Sequence, residues 1–286
     1  MKLGLCLAGG GVKGAAHIGV LKAFEEENIK FNYIAGTSSG SIVSALYACG
    51  FSADEIYNIF KKYCKKIKYV YFLNILKLIF GIVFTGDIKI DGFNSGKKIE
   101  KMINKVCNQY GFYTMRDIKK ILAIPSVNLC NGEVVCFTSC QNRKKPVDNT
   151  VFCDDIEIGT AVRASCSYRV VFSPCNYRNI KLVDGGIREN VPWRELEFLG
   201  ADKIVNVVFE DEEEESREKN IVEVAFRSIN LLCKELSGYE IDGAGYVLKI
   251  SSKKVGLLDM KKIDYLYNLG YKVAKSKINE IKKFID

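Results

Sequence analysis

The chain has 286 residues, 48% of them hydrophobic and 27% charged, and 42 Lys and Arg against 34 Asp and Glu leave a net charge of +8. That suits one large soluble α/β domain, or a domain with a smaller appendage, able to bury its core without disulfides or metal. Eleven cysteines without a CxxC pair and a single histidine argue against a disulfide scaffold and a zinc site. They suit reduced thiols in a cytoplasmic protein.

Residues 3–8 read as a buried first strand rather than a cleavable leader. The segment Gly9-Gly10-Gly11-Val12-Lys13-Gly14 follows it and opens a helix over 12–28, with apolar positions at Ala16, Val20, Leu21 and Phe24. A short strand over 31–35 leads into a helix over 38–50 that Gly50 stops. Strands separated by helices imply a mostly parallel sheet covered on both faces.

A helix is expected over 54–68, with Ser52 as its N-cap. The apolar run 69–84, broken by Asn74, Lys77 and Gly81, falls short of the ~20 residues that a membrane span needs. No acid lies between Glu55 and Asp87, where Lys61, Lys62, Lys65, Lys66, Lys68 and Lys77 fall among Tyr57, Phe60, Tyr63, Tyr69, Tyr71 and Phe72. Two readings of residues 56–84 stay open: a lid or a peripheral contact with an anionic membrane, or a helical pair with an apolar core face and solvated lysines. With no nucleic-acid-binding module recognisable, nucleic acid is not an expected partner.

A helix over 96–110 precedes two strands, 120–128 and 133–139, joined by a Cys130-Asn131-Gly132 turn. A helix over 156–165, a strand over 180–183 ending at Asp184-Gly185-Gly186, and a strand over 203–209 come next. Helices over 220–236 and 261–284 flank a strand over 246–251.

Gly36-Thr37-Ser38-Ser39-Gly40 matches G-x-S-x-G between a strand and a helix. That is the context of a nucleophile elbow, whose tight turn needs small neighbours and lifts the serine to the end of the sheet. The glycine loop also fits a dinucleotide fingerprint, but the second strand ends in Ala35-Gly36-Thr37, with no acid for a ribose. A loop of bare amides next to a serine elbow suits an oxyanion hole instead.

His17 is the only histidine, so a Ser–His–Asp triad would have to use it. Its place in the first helix favours packing over catalysis. Desolvation lets a carboxylate act as base. Asp184 is the candidate, as a strand-end residue expected on the active-site face of a parallel sheet. The competing reading is an ordinary Asp-Gly turn.

The ordered set Gly9–Gly14, Gly36–Gly40 and Asp184–Gly186 resembles the patatin-like phospholipases. So do His17-Ile18-Gly19-Val20-Leu21, Ala164–Ser167, Phe172-Ser173-Pro174, and Asn190 with Pro192. Residues 3 to about 208 carry the likeness, with Lys13 where many members have Arg and Arg169 where Pro is usual.

The resemblance implies a three-layer α/β/α fold with a catalytic core over 1–208. Residues 54–112 would form a basic, aromatic insertion or cap, and 209–286 would complete the same domain. It implies a lipid acyl hydrolase with no cofactor and no metal, acting on lipid or other acyl esters. Ser38 would be the nucleophile and Asp184 the base. Gly9, Gly10 and Gly11 would donate to the oxyanion, with Lys13, Gly14, Gly36, Gly40, Gly185 and Gly186 shaping the loops. A non-catalytic lipid-binding protein on the same fold and a His17-dependent hydrolase are the alternatives.

Overall fold

The computed structural model describes residues 1–64, 91–140, 149–168, 171–210, 221–252, 255–257 and 259–286, without the side chains of 221–223, 225, 226 and 230. At its centre is β1 (Leu3–Leu7), buried along its whole length. β2 (Tyr33–Gly36) and β8 (Lys203–Glu210) flank β1 in parallel. Beyond them, β3 (Ile121–Asn128) runs parallel to β2 and β9 (Tyr246–Ser251) parallel to β8. β4 (Val134–Thr138) pairs antiparallel with β3 across the expected turn, and β5 (Thr150–Cys153) lies parallel to β4. The order among the described strands is β5-β4-β3-β2-β1-β8-β9.

Two-residue periodicity sorts side chains by size across this sheet. Leu5, Leu7 and Ile34 face the larger core, shared with α1 (Gly14–Glu26), α2 (Ser39–Ala48), α3 (Ala53–Cys64), α4 (Lys97–Asn108) and α5 (Ile158–Ser165). Each fully buried leucine stabilises the fold by roughly 1.5–3 kcal/mol. Cys6, Ala8, Ala35 and Ala123 point the other way. Their small size makes room for Trp193 and Leu196 of α6 (Trp193–Leu199). Helices thus cover both faces, the three-layer arrangement expected. Two long helices follow: α7 (Ile221–Glu240), and α8 (Ile263–Ile285), whose Lys275 and Lys282 pair with Glu27 next to α1.

The α3 helix starts where Ser52 predicts. The Ser52 hydroxyl accepts from Glu55 N–H, and the Glu55 carboxylate accepts from Ser52 N–H at 2.9 Å, a reciprocal cap. Phe60 and Tyr63 are buried and Lys61 pairs with Asp264 at 2.7 Å. Residues 65–84, most of the stretch 56–84 on which the lid and membrane readings rest, lie outside the described residues, as does Arg169. No helix among the described residues is long and apolar enough to cross a membrane.

Among the described strands and α-helices, β5, β6 (Cys175–Tyr177) and α6 have no counterpart in the sequence expectations. β6, with three residues, and α6, with seven, are shorter than the span over which hydrophobic periodicity separates helix from strand.

Candidate active site

β2 delivers the chain to Gly36, and Thr37 N–H donates to Leu7 O at 3.2 Å, tying the elbow to β1. Ser38 then takes φ 52°, ψ −122°. A positive φ is strained for a residue with a side chain and costs about 1–3 kcal/mol. The surroundings enforce it. Ser38 N–H donates to Ser165 Oγ at 3.0 Å, and Ser41 N–H donates to Ser38 O at 2.9 Å. The flanking glycines are needed for close approach: a Cβ on Gly40 would run into Leu7 O and Ala8 O, and one on Gly36 into Ser44 Oγ. The turn leaves Ser39 N–H without an acceptor among the described residues.

Asp184 arrives by a route the sequence did not suggest. It ends β7 (Ile180–Asp184), which runs antiparallel to β3 rather than lying within the parallel set; β6 pairs antiparallel with β7 on its far side. One edge of β3 is shared, Ile121–Ala123 pairing with β2 and Ser126–Asn128 with β7. The ends of β2 and β7 therefore point at each other, and Ser38 and Asp184 both line one cavity. Asp184 is 4% exposed. Its Oδ1 accepts from Gly186 N–H at 2.8 Å, and its own N–H donates to Ser167 O. Gly185 and Gly186 form the turn that follows, with Gly185 close under Pro125 O.

The glycine loop lies against the elbow: Gly14 packs on Ser39, and a Cβ on Gly9 would sit 3.3 Å from Ser38 Cβ. One expectation is corrected here. Gly9 N–H is already engaged, donating to Asn190 Oδ1 at 3.1 Å and to Asn190 O at 3.3 Å. The N–H groups of Gly10 and Gly11 donate to no described residue. Lys13 is buried, its Nζ 6.0 Å from the centre of the Phe209 ring. A cavity of about 1090 Å³ opens here, and Ser38, Asp184, Gly10 and Gly11 all line it. Ile42, Phe60, Tyr63, Ile99, Val171 and Phe172 give it an apolar wall, and Arg227, Lys234 and Lys249 are also among its lining residues.

His17 is fully buried, absent from the cavity wall, and committed elsewhere. Its Nε2 bonds the Ala8 carbonyl at 2.8 Å, so that nitrogen carries the proton, and its ring lies 4.6 Å from that of Phe209. Burial pushes its pKa down to about 4, which keeps the ring neutral. The packing reading of His17 is the one the fold follows. Among the described residues no three His, Cys, Asp or Glu side chains cluster to hold a metal ion.

Two features escaped the sequence reading. Ser39 N–H was not considered, although the residue after the nucleophile of an elbow commonly donates to an oxyanion. Asn190 was noted only as the end of a motif, and nothing local signals that it binds Gly9.

A family model described as patatin-like phospholipase matches residues 5–197. Lysophospholipase NTE1 of Lodderomyces elongisporus is 29% identical over 208 residues, covering 72% of this chain and 12% of that protein. YqhO of Bacillus subtilis, an uncharacterised protein, is 28% identical over 223 residues, covering 75% of this chain and 73% of its own. The chain thus spans about an eighth of the length of the NTE1 relatives. Among solved structures, VipD from Legionella pneumophila superposes with a TM-score of 0.54 at 15% identity, covering 98% of this chain and 67% of that one. The ExoU–SpcU complex of Pseudomonas aeruginosa gives 0.51 at 16%, covering 98% and 51%. At that identity the likeness is one of fold. The family match spans well over half the chain and takes in the glycine loop, the elbow and Asp184, so the chain belongs to the patatin-like phospholipase family.

Proposed function

We propose that the chain is a lipid acyl hydrolase that cleaves carboxylic esters through an acyl-serine intermediate, with Ser38 as nucleophile and Asp184 as its base. The observation that supports this most is the convergence of Ser38, Asp184 and the unclaimed amides of Gly10 and Gly11 on one cavity. Ser38 Oγ attacks the ester carbonyl carbon while the Asp184 carboxylate takes its proton. The carbonyl oxygen becomes an oxyanion held by the N–H groups of Gly10 and Gly11, with Ser39 N–H beside them. The tetrahedral intermediate collapses, and the alcohol leaves with the proton from Asp184. Water then attacks the acyl-serine, giving a proton to Asp184; the second tetrahedral intermediate collapses, the bond to Ser38 Oγ breaks, Asp184 returns the proton to Oγ, and the carboxylic acid departs.

The apolar wall suits a long acyl chain. With the family match, that wall favours lysophospholipids and phospholipids as the substrate class. NTE1 bears the name lysophospholipase, in keeping with that class. The test is product analysis on mixed glycerolipids and lysophospholipids. Fatty acid should be released by the wild type and not by a folded Ser38→Ala variant; equal release by both would refute the reading.

A further inference from the structure

Glu240 ends α7, far in sequence from every motif, yet it is 7% exposed. Its carboxylate grips the loop after Asp184. Oε1 accepts from Asn190 N–H at 3.1 Å and Oε2 from Val191 N–H at 2.8 Å. The Glu240 carbonyl accepts from Trp193 Nε1, and one turn earlier Ser237 Oγ accepts from Asn190 Nδ2 at 3.0 Å. Asn190 is thus fixed through its main chain and its amide. It presents both of its oxygens to a single donor, Gly9 N–H.

Three consecutive glycines form the most freely flexing stretch a chain can have. Oxyanion donors stabilise a transition state only when held within about 0.5 Å of the productive position. Lys13 N–H donates to Gly10 O at 3.1 Å and Val12 N–H to Leu257 O at 2.8 Å, which hold the far side of the loop, whereas Asn190 holds its near side at Gly9. We propose that Glu240 and Asn190 are positioning residues: they pin Gly9 so that the next two amides stay turned to the cavity. This rests on the proposed role of Gly10 and Gly11.

A carboxylate is an expensive way to fill that place. Burial pushes Glu240 up to about 7, against the pull of the Asn190 and Val191 amides. Glu189, on the same loop, raises it further, while Arg194 of α6 opposes; Glu195 of α6 stands nearby as another acid. A helix that needed only packing would carry an uncharged side chain there. Two charge-assisted bonds to consecutive main-chain N–H groups are what the charge supplies.

The experiment measures kcat and KM on a soluble short-chain ester for wild type, Glu240→Gln and Asn190→Ala, per active site titrated to completion with a fluorophosphonate, and turnover per mole of folded protein for Ser38→Ala. Gln keeps the shape and one acceptor but turns an amide against the second N–H. Expected for Glu240→Gln is a fall of about tenfold in kcat with KM within about twofold, and for Asn190→Ala a larger fall of the same kind. Wild-type kcat should drop towards the Glu240→Gln level as pH falls through about 7, a step missing from that variant's profile. A Glu240→Gln enzyme with wild-type kcat and wild-type profile overturns the proposal while Ser38→Ala is inactive. Turnover by Ser38→Ala instead overturns the catalytic reading beneath it. Should Glu240→Gln not fold, Asn190→Ala decides: kcat within about twofold of wild type overturns the proposal.

Discussion

Asp184 lies opposite Ser126 in the antiparallel register of β7 on β3. On the same edge of β3, Ala35 of β2 lies opposite Ala123. The two strands therefore meet end to end across Ile124 and Pro125, a gap of roughly 10 Å from Ala123 to Ser126 at strand rise. The gap also explains a proline in a central strand. Asn128 N–H donates to Glu133 O and Leu122 N–H to Ser139 Oγ, both on the β4 side. Alternation places the Pro125 nitrogen on the opposite edge, in the gap, where no ladder bond is asked of it.

The elbow depends on close backbone contact, so its glycines are predicted to be intolerant. Gly40→Ala would force a methyl group into Leu7 O and Ala8 O. It is expected to cost about 1–3 kcal/mol or more and to abolish turnover. Gly238→Ala is the control: that glycine sits in α7 with open space around it, and its replacement should leave Tm unchanged or raise it. Thermal melts of the two variants check this.

His17 is predicted to matter for acid stability and not for chemistry. Its folded pKa, about 4, lies below its ordinary 6.5. Its contribution is therefore present above 6.5 and is lost as pH falls through about 4. His17→Gln keeps an N–H for Ala8 O and removes the titration. It should keep kcat within about threefold at neutral pH. Its Tm should decline less than that of wild type between 6.5 and 4.

Glu195 carries the opposite sign. It is 1% exposed, its Oε2 has no partner among the described residues, and burial followed by the charge of Glu189 raises its pKa. The stability it contributes is intact below its ordinary 4.5 and is lost as pH rises through the raised value. Glu195→Gln is therefore expected to be close to neutral at about pH 5 and stabilising at about pH 9, by roughly 2–4 °C in Tm for each kcal/mol relieved. Melts across that range are the check.

The glycine loop and the serine elbow were legible because each is a contiguous turn whose chemistry restricts local residues. The parallel β1–β2–β3 core followed from strands alternating with helices. Asp184 was singled out as a strand-end base in a parallel sheet, a geometry the fold does not have: nothing in residues 175–184 announces that so short a hairpin will lie antiparallel on β3. The engagement of Gly9 was invisible for a related reason. Its partner is 181 residues away, and the acid that holds that partner ends a helix, where a glutamate ordinarily reads as solvated.

Turnover of Asp184→Asn on a soluble short-chain ester, compared with His17→Gln and wild type per titrated active site, is the most direct measurement of the proposal that Asp184 is the base for Ser38. Asn keeps the acceptor for Gly186 N–H but takes no proton, so a loss of roughly 10³-fold or more in kcat is predicted, with His17→Gln near wild type. An Asp184→Asn enzyme within about threefold of wild type would contradict it.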